Sequence, residues 1–305
     1  MKIKKDFPLK KFTTISIGGA AKYFVVIKKE NELVAAIQSA KKFKLPWYVV
    51  GEGSNLIVSD TGYQGVIIQN QIKDFEQKGL NTFVGSGYSL LRFVLEADKL
   101  GMAGMERMAG IPGTVGGAIY GCAGAYGQEI KDHLVSVRFF DGKEFRNLTK
   151  HQCRFRYRSS IFKKHKNWVI VGVEFELEKG NARQLLKISH DIIKLRAIKY
   201  KSGLKCPGSF FKNLIAAEIK VPAVLKDQIV YGKLPAGVLL EQIGAKGMHE
   251  GNIRVADHHA NLIYNPGNGL CSDVRKLSTR LKTLVKKRFG IIIDEEVQYL
   301  GFTNN

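Results

Sequence analysis

Between residues 110 and 127 the chain carries seven glycines in eighteen positions, and that density limits what the surrounding polypeptide can build. A glycine inside a helix or strand costs about 0.5–1 kcal/mol relative to alanine. Regular structure is therefore disfavoured across Gly110-Ile111-Pro112-Gly113-Thr114-Val115-Gly116-Gly117-Ala118, Gly121 and Gly124-Ala125-Tyr126-Gly127. A chain keeps such backbone most readily where it must lie against something flat and polar; a purely structural tangle of turns is the bland alternative. A second glycine-rich loop, Gly51-Glu52-Gly53-Ser54-Asn55, follows a short apolar run. Small residues there let backbone N–H groups point at an anion. The third glycine of G-x-G-x-x-G is absent and Leu56-Ile57-Val58 returns to strand character, so a Rossmann fingerprint is not supported. Taken alone, this loop is equally an ordinary tight turn.

The length of 305 residues suits two or three domains. Hydrophobic residues at 45% and charged residues at 25% exclude wholesale disorder. The formal net charge of +21 raises the question of a nucleic-acid partner. However, the lysines are spread along the whole length, with no RNP-like aromatic motif and no Cys/His finger, and an anionic small substrate benefits from the same field. No nucleic-acid partner is expected. The four cysteines, Cys122, Cys153, Cys206 and Cys271, lie far apart without a C-x-x-C pair, so neither a metal site nor a disulfide framework is expected, and a reducing compartment fits. No signal-like apolar run opens the chain and no stretch has the roughly 18 apolar residues of a membrane span. The expectation is a soluble, cytoplasmic protein with no membrane partner.

β-Branched and aromatic content predicts strands at 23–27, 47–50, 65–69, 82–85, 134–140, 144–148 and 168–177. Helical spacing predicts a helix from an Asn31 N-cap through Phe43, one opened by Ser89 and stopped at Gly101, one beginning at Gly180-Asn181, and one over 272–289 ended by Gly290. A last strand is predicted at 291–299. Strands mixed with helices, without strict βα alternation, argue an α+β fold. The main boundary falls at 180/181, dividing a region 1–180, itself split near 70–80, from a domain 181–305.

The strings at 51–56 and 110–127, with Thr14-x-x-x-Gly18-Gly19 near the start and Glu296-Val297 near the end, resemble the UDP-N-acetylenolpyruvoylglucosamine reductases over nearly the whole chain, in that family's shorter form. The resemblance implies a vanillyl-alcohol-oxidase/p-cresol-methylhydroxylase type FAD-binding fold with a C-terminal α+β substrate-binding domain. It also implies an NADPH-dependent FAD enzyme that converts UDP-N-acetylglucosamine enolpyruvate to UDP-N-acetylmuramate in peptidoglycan precursor synthesis. By that resemblance Gly51, Gly53, Ser54, Asn55 and Leu56 hold the FAD pyrophosphate. Gly110, Ile111, Pro112, Gly113, Thr114, Gly116, Gly117, Ala118, Gly124, Ala125 and Tyr126 would wrap the rest of the cofactor. The chain departs from the family at Cys122, where an Asn often precedes Ala-Gly-Ala.

Reducing an enol ether requires hydride at one alkene carbon, a proton at its neighbour, and donors or a cation where charge builds on the carboxylate side. Three groups match family motifs. Arg158, in Tyr157-Arg158-Ser159-Ser160, would face the substrate carboxylate, and Tyr157 would bind the substrate beside it; a planar guanidinium suits a carboxylate. Ser209, in Gly208-Ser209-Phe210-Phe211-Lys212-Asn213, would protonate the enolate. An unperturbed serine is a poor acid, so it needs a neighbouring charge or hydrogen bond. Lys212 and Asn213 would meet the diphosphate. In Ile293-Asp294-Glu295-Glu296-Val297 only one of the adjacent acids can face a site. The resemblance selects Glu296, with Glu295 at the family's proline position. Two other readings remain open: a different flavin oxidoreductase on the same fold, such as an alcohol oxidase, and a basic nucleotide- or nucleic-acid-binding protein without redox function. Partners are expected to be the nucleotide sugar and NADPH, acting on a monomer.

Overall fold

Three apolar clusters organise the chain, and the segments that feed them explain how it divides. The computed structural model describes residues 2–302. One compact unit holds 2–5, 23–52 and 65–198; the other holds 6–22, 53–64 and 199–302. In the second unit Ile15, Ile17 and Ile57 are buried with Phe210, Phe211, Leu239, Leu277 and Leu281 in one core. That shared core is why two segments distant in sequence belong with the C-terminal part.

A four-stranded sheet runs in the order Lys2–Pro8, Ala20–Ile27, Tyr63–Asn70, Trp47–Val50, the last pair parallel with Trp47 opposite Val66. Helix Glu30–Lys42 covers apolar residues of this region through Leu33, Ala36, Ile37 and Ala40, the spacing of one helical face. A five-stranded antiparallel sheet runs Phe145–Thr149, Leu134–Phe140, Val169–Glu176, Asn81–Gly85, Phe75–Lys78. Helix Leu90–Lys99 packs Phe93 against Phe175, ring centroids 5.2 Å apart. Its Ser89 cap accepts from the Arg92 N–H at 3.4 Å, as the sequence predicts.

The second unit is built on a three-stranded antiparallel sheet, His249–Glu250, Ile253–Ala256 and His259–Tyr264, with helices Ala236–Gln242 and Cys271–Phe289. Gly290 ends the longer helix at φ 68°. The start of that helix is capped from afar, where Asp60 accepts from Cys271 N at 2.7 Å and Ser272 N at 3.0 Å, a carboxylate at the positive end of the dipole. Leu56–Val58 pairs in parallel with Gln298–Leu300. The mixture of antiparallel sheets, parallel pairs and helices is α+β. No helix among the described residues is long and apolar enough to cross a membrane.

Four sequence expectations need correction. The first helix starts at Glu30 with Lys29 as cap, not Asn31; Glu32 instead reaches back to the Lys28 N–H at 2.6 Å. Strand pairing at the C-terminal end covers only Gln298–Leu300, with a lone bridge at Glu295. The glycine-dense stretch does contain regular structure, a helix Val115–Gly121 and a hairpin. Helix Ala182–Lys199, which the sequence assigned to the C-terminal domain, lies in the first unit up to residue 198, and its Ile192 joins the core of Phe93, Phe139 and Phe175. Compactness therefore breaks at 198/199 rather than at 180/181.

That helix is fastened by a buried polar contact. Ser189 Oγ lies 2.5 Å from Asp98 Oδ2 and 3.2 Å from the Glu106 carbonyl. Asp98 is fully buried, its Oδ1 has no hydrogen-bond partner among the described residues, and burial pushes its carboxyl up to about 6. Because the folded state then binds this proton more tightly than the unfolded chain, stability is expected to fall as pH rises from about 4 through about 6, by up to about 3 kcal/mol. Asp98→Asn should lack that slope. Urea midpoints at pH 4 to 8 check it; parallel pH profiles for the two proteins would refute the assignment.

Candidate active site

In the first unit, the glycine-rich stretch is pinned along its length. Gly113 O accepts from Leu90 N at 3.0 Å and Val115 N donates to Tyr88 O at 2.9 Å, around a bridge between Ser89 and Thr114. The helix Val115–Gly121 is capped by Thr114, whose Oγ1 accepts from Gly117 N at 3.2 Å, while Gly116 N donates to Ser86 O at 2.8 Å. The first three amides of this helix are thus engaged within the protein, so what it offers a ligand is its side. A Cβ on Gly116 would sit 2.8 Å from Ser86 Cβ, and one on Gly51 would sit 2.6 Å from Thr114 Oγ1. These glycines are required by close approach. A Cβ on Gly121 would meet nothing within 4 Å, and Gly117, four residues earlier, is exposed. The two present bare backbone on one helix face.

After the helix, Cys122 takes a left-handed conformation (φ 45°, ψ 61°) and is buried. Asn tolerates this conformation better than most residues, which gives the family's Asn at this position a backbone reason. Burial pushes the Cys122 thiol up to about 11, so it packs as a small apolar group. Gly124–Ala125 and Gln128–Glu129 then form a hairpin closed by Tyr126 (φ 50°) and Gly127 (φ 83°), the two positive φ values of a type I′ turn.

Arg158 is tied to this stretch. Its Nη1 donates to Cys122 O at 3.1 Å and its Nη2 to Gly124 O at 2.8 Å, and the guanidinium lies 5.0 Å from the Tyr157 ring centroid. Arg158 itself has φ 53°, a strained backbone for a side chain of this size. Lys163 Nζ donates to the Arg158 carbonyl at 2.9 Å, and Ser160 Oγ to Tyr120 O at 2.8 Å. The arginine predicted from its motif and the glycine stretch predicted from its density are therefore one local assembly.

The second unit brings together the other candidates. Lys212 N donates to Asp294 O at 2.9 Å and Glu296 N to Phe210 O at 2.8 Å. This places Glu296 across from the residue next to Ser209. Asn261 locks the same segment: its Oδ1 accepts from Phe211 N and its Nδ2 donates to Phe211 O, both at 2.8 Å. The loop residue Asn55 belongs here too, its Nδ2 donating to Glu296 O at 3.2 Å and its carbonyl accepting from Gln298 N at 2.9 Å. Gly53 O and Ser54 O accept from Thr14, at 3.3 Å from its N–H and 3.2 Å from its hydroxyl. In a trans peptide the following N–H groups, of Ser54 and Asn55, then point the opposite way. Leu56 is buried in its strand. Lys212 Nζ lies 4.0 Å from Asp294 Oδ2, and Asn213 Oδ1 accepts from Ala236 N at 3.2 Å at the start of helix Ala236–Gln242.

Two residues that the sequence did not single out touch Ser209. Lys199 Nζ donates to Ser209 Oγ at 3.0 Å, and Tyr200 OH lies 3.1 Å from the same oxygen. The ammonium charge also falls on His259, whose imidazole is held down at about 4, by burial first and Lys199 next. Lys199 is the last residue of a helix, where a lysine has an ordinary explanation in the dipole; nine residues separate it from Ser209, so no spacing marked it.

Among the described residues no group of His, Cys, Asp or Glu could hold a metal ion. The side chains and backbone suit an organic ligand instead: in the first unit the helix offers a bare face at 117–121, and in the second unit the Ser54 and Asn55 amides stand on the side away from Thr14. Gly116→Ala is expected to destabilise the protein by about 1–3 kcal/mol through the clash with Ser86, whereas Gly121→Ala should stabilise it by about 0.5–1 kcal/mol. Thermal or urea denaturation distinguishes the two; equal effects would show that the close approach does not matter.

Residues 21–144 match a family described as FAD binding domain, and residues 199–300 match one described as UDP-N-acetylenolpyruvoylglucosamine reductase, C-terminal domain. The chain is 42% identical to a UDP-N-acetylenolpyruvoylglucosamine reductase of Solibacter usitatus over 98% of its own length and 97% of the relative's. It is 33% identical to one of Lachnoclostridium phytofermentans over 96% and 91%. A solved reductase of the same name from Thermus caldophilus superposes with a TM-score of 0.78 at 28% identity, covering 98% of this chain and 99% of that one.

Proposed function

Because this chain belongs to the UDP-N-acetylenolpyruvoylglucosamine reductase family, we propose that Arg158, Ser209 and Glu296 carry its reaction, the reduction of UDP-N-acetylglucosamine enolpyruvate to UDP-N-acetylmuramate in peptidoglycan precursor synthesis. The protein is an FAD-dependent oxidoreductase; FAD, when bound, would supply the hydride, with NADPH as its source.

The observation that carries the assignment of Ser209 is the 3.0 Å contact from Lys199 Nζ. A lysine ammonium can only donate, so the serine oxygen accepts from it and the serine keeps its own proton for transfer. The positive charge also stabilises the alkoxide left behind, which is the help a serine acid needs. Tyr200, at 3.1 Å, is placed to return a proton to that oxygen. Lys199 thus acts on the serine, and Ser209 acts on the substrate carbon.

Arg158 meets the substrate carboxylate. Its bonds to Cys122 O and Gly124 O hold the guanidinium plane in advance, so little reorganisation is needed when charge develops. Glu296 assists at the enol stage through its carboxyl group; its backbone is fixed by Phe210 and Asn55. Tyr157 stacks on Arg158 and steadies it. Lys212 serves as a point charge for the diphosphate, with Asn213 beside it.

For the cofactor, Gly51, Gly53, Ser54, Asn55 and Leu56 form the pyrophosphate loop, and 110–118 with 124–126 hold the rest. We assign cofactor binding to 1–180 and substrate binding to 181–305, a division by function that differs from the compact units over the helix 182–198. The family match at 199–300 supports the substrate assignment over those residues. The enzyme acts as a cytoplasmic monomer on small molecules, without nucleic acid or membrane. Its buried free cysteines, with the Cys153 and Cys271 thiols pushed up to about 12 by burial, suit a reducing compartment.

Ser209→Ala should be reduced by NADPH at the normal rate and reoxidised by the enolpyruvyl sugar about 10²–10⁴-fold more slowly, as read by flavin absorbance in stopped flow. Turnover equal to wild type would remove the serine from the mechanism.

A further inference from the structure

Neighbouring residues of an extended chain point to opposite faces, so whatever holds Glu295 decides where Glu296 can go. Glu295 is held by two donors. Its Oε1 accepts from Lys282 Nζ at 3.1 Å and from Ser278 Oγ; burial and the nearby Glu295 carboxylate both push the Tyr299 hydroxyl up. Ser278 and Lys282 are one turn apart on helix Cys271–Phe289, and Ser278 is fully buried. The Glu295 side chain is 18% exposed, so this ion pair is screened less than a surface one. The carboxylate bolts the C-terminal strand to the helix, and Glu296 faces away from that bolt.

The pairing of the strand adds a second observation. Phe211 and Glu295 oppose each other in an antiparallel bridge whose two hydrogen bonds run through their neighbours, Lys212 N to Asp294 O and Glu296 N to Phe210 O. Residue 295 therefore occupies a position of the pair whose own N–H takes no part in those bonds. A proline, which lacks the N–H, can stand there without breaking either of them. Rigidity at this position can come from a ring or from an anchored side chain, and this chain has the anchored side chain.

We infer that Glu295 is a positioning residue, whose contacts with Ser278 and Lys282 fix the register that presents Glu296 beside the strand of Ser209. The inference rests on the reading of Glu296 as a reaction residue. Loss of the anchor lets the strand shift by a fraction of an ångström, which acts on the chemical step and leaves the binding of cofactor and nucleotide in place.

The test uses the flavin-loaded, full-length enzyme and follows both half-reactions by stopped flow. Glu295→Ala is expected to keep its flavin and its rate of reduction by NADPH, while reoxidation by the enolpyruvyl sugar slows about tenfold at saturating substrate with little change in KM. Glu295→Pro is expected to recover most of that rate. The double variant Ser278→Ala/Lys282→Met, which leaves residue 295 itself untouched, should be slow in the same way. Glu295→Ala reoxidised at the wild-type rate, whatever its melting temperature, overturns the inference, as does a folded, flavin-replete Glu295→Pro no faster than Glu295→Ala. Glu296→Gln separates the two claims. If it is slow while Glu295→Ala is normal, only the positioning role falls. If it turns over at the wild-type rate, the reading beneath it falls.

Discussion

Two backbone hydrogen bonds, Lys212 N to Asp294 O and Glu296 N to Phe210 O, determine which side chains the second unit can present together. Because side chains alternate along a strand, slipping this pair by one residue would exchange Glu296 for Glu295 and turn an acid tied to helix Cys271–Phe289 to the side that Glu296 now occupies. Several unrelated contacts guard the register. Asn261 reads both backbone groups of Phe211, Asn55 holds the Glu296 carbonyl, and Phe210 and Phe211 are buried in the core. Ser209 sits at the edge of this clamped segment, with a lysine ammonium on its oxygen. Packing, hydrogen bonding and proposed chemistry thus meet within a few residues.

The first unit solves a different problem. A stretch with so many glycines has little preference for any one shape, so its conformation must be imposed from outside. Ser86 and Tyr88 accept from its amides, Leu90 donates to it, and Arg158 reaches across to two of its carbonyls. Ser86 is itself fixed in the core, its hydroxyl donating to Ile170 O at 2.7 Å and accepting from Asn70 Nδ2 at 2.7 Å. The glycines that touch this scaffold are needed for close approach, and those on the other side leave a face without side chains. A rigid scaffold behind a bare backbone suits a large, flat cofactor, because little ordering remains to be done when it binds.

Much of this was legible in the sequence. Ser89 announces a helix with a hydroxyl cap and Gly290 ends another with a positive φ, and the β-branched runs at 47–50 and 134–140 became strands with the expected bounds. The motifs around Arg158 and Ser209 mark side chains that the structure ties to neighbours, and the one around Glu296 marks a backbone held on both sides. What escaped was non-local. The helix Val115–Gly121 exists against propensity because Thr114, Ser86 and Tyr88 satisfy its first amides. Helix Ala182–Lys199 joins the first unit because Ile192 and Ser189 find partners there. Lys199 and Tyr200 converge on Ser209 only after the chain has turned back, and a hydrogen bond of that kind leaves no periodicity to read.

The central claim is that the paired strands make Ser209 and Glu296 work as one unit. A double-mutant cycle on reoxidation by the enolpyruvyl sugar, using Ser209→Ala, Glu296→Gln and their combination, measures this directly. The account predicts a double variant little slower than the slower single one, as found for residues that act together. Losses that simply multiply would mean that the two side chains act independently, and would contradict it.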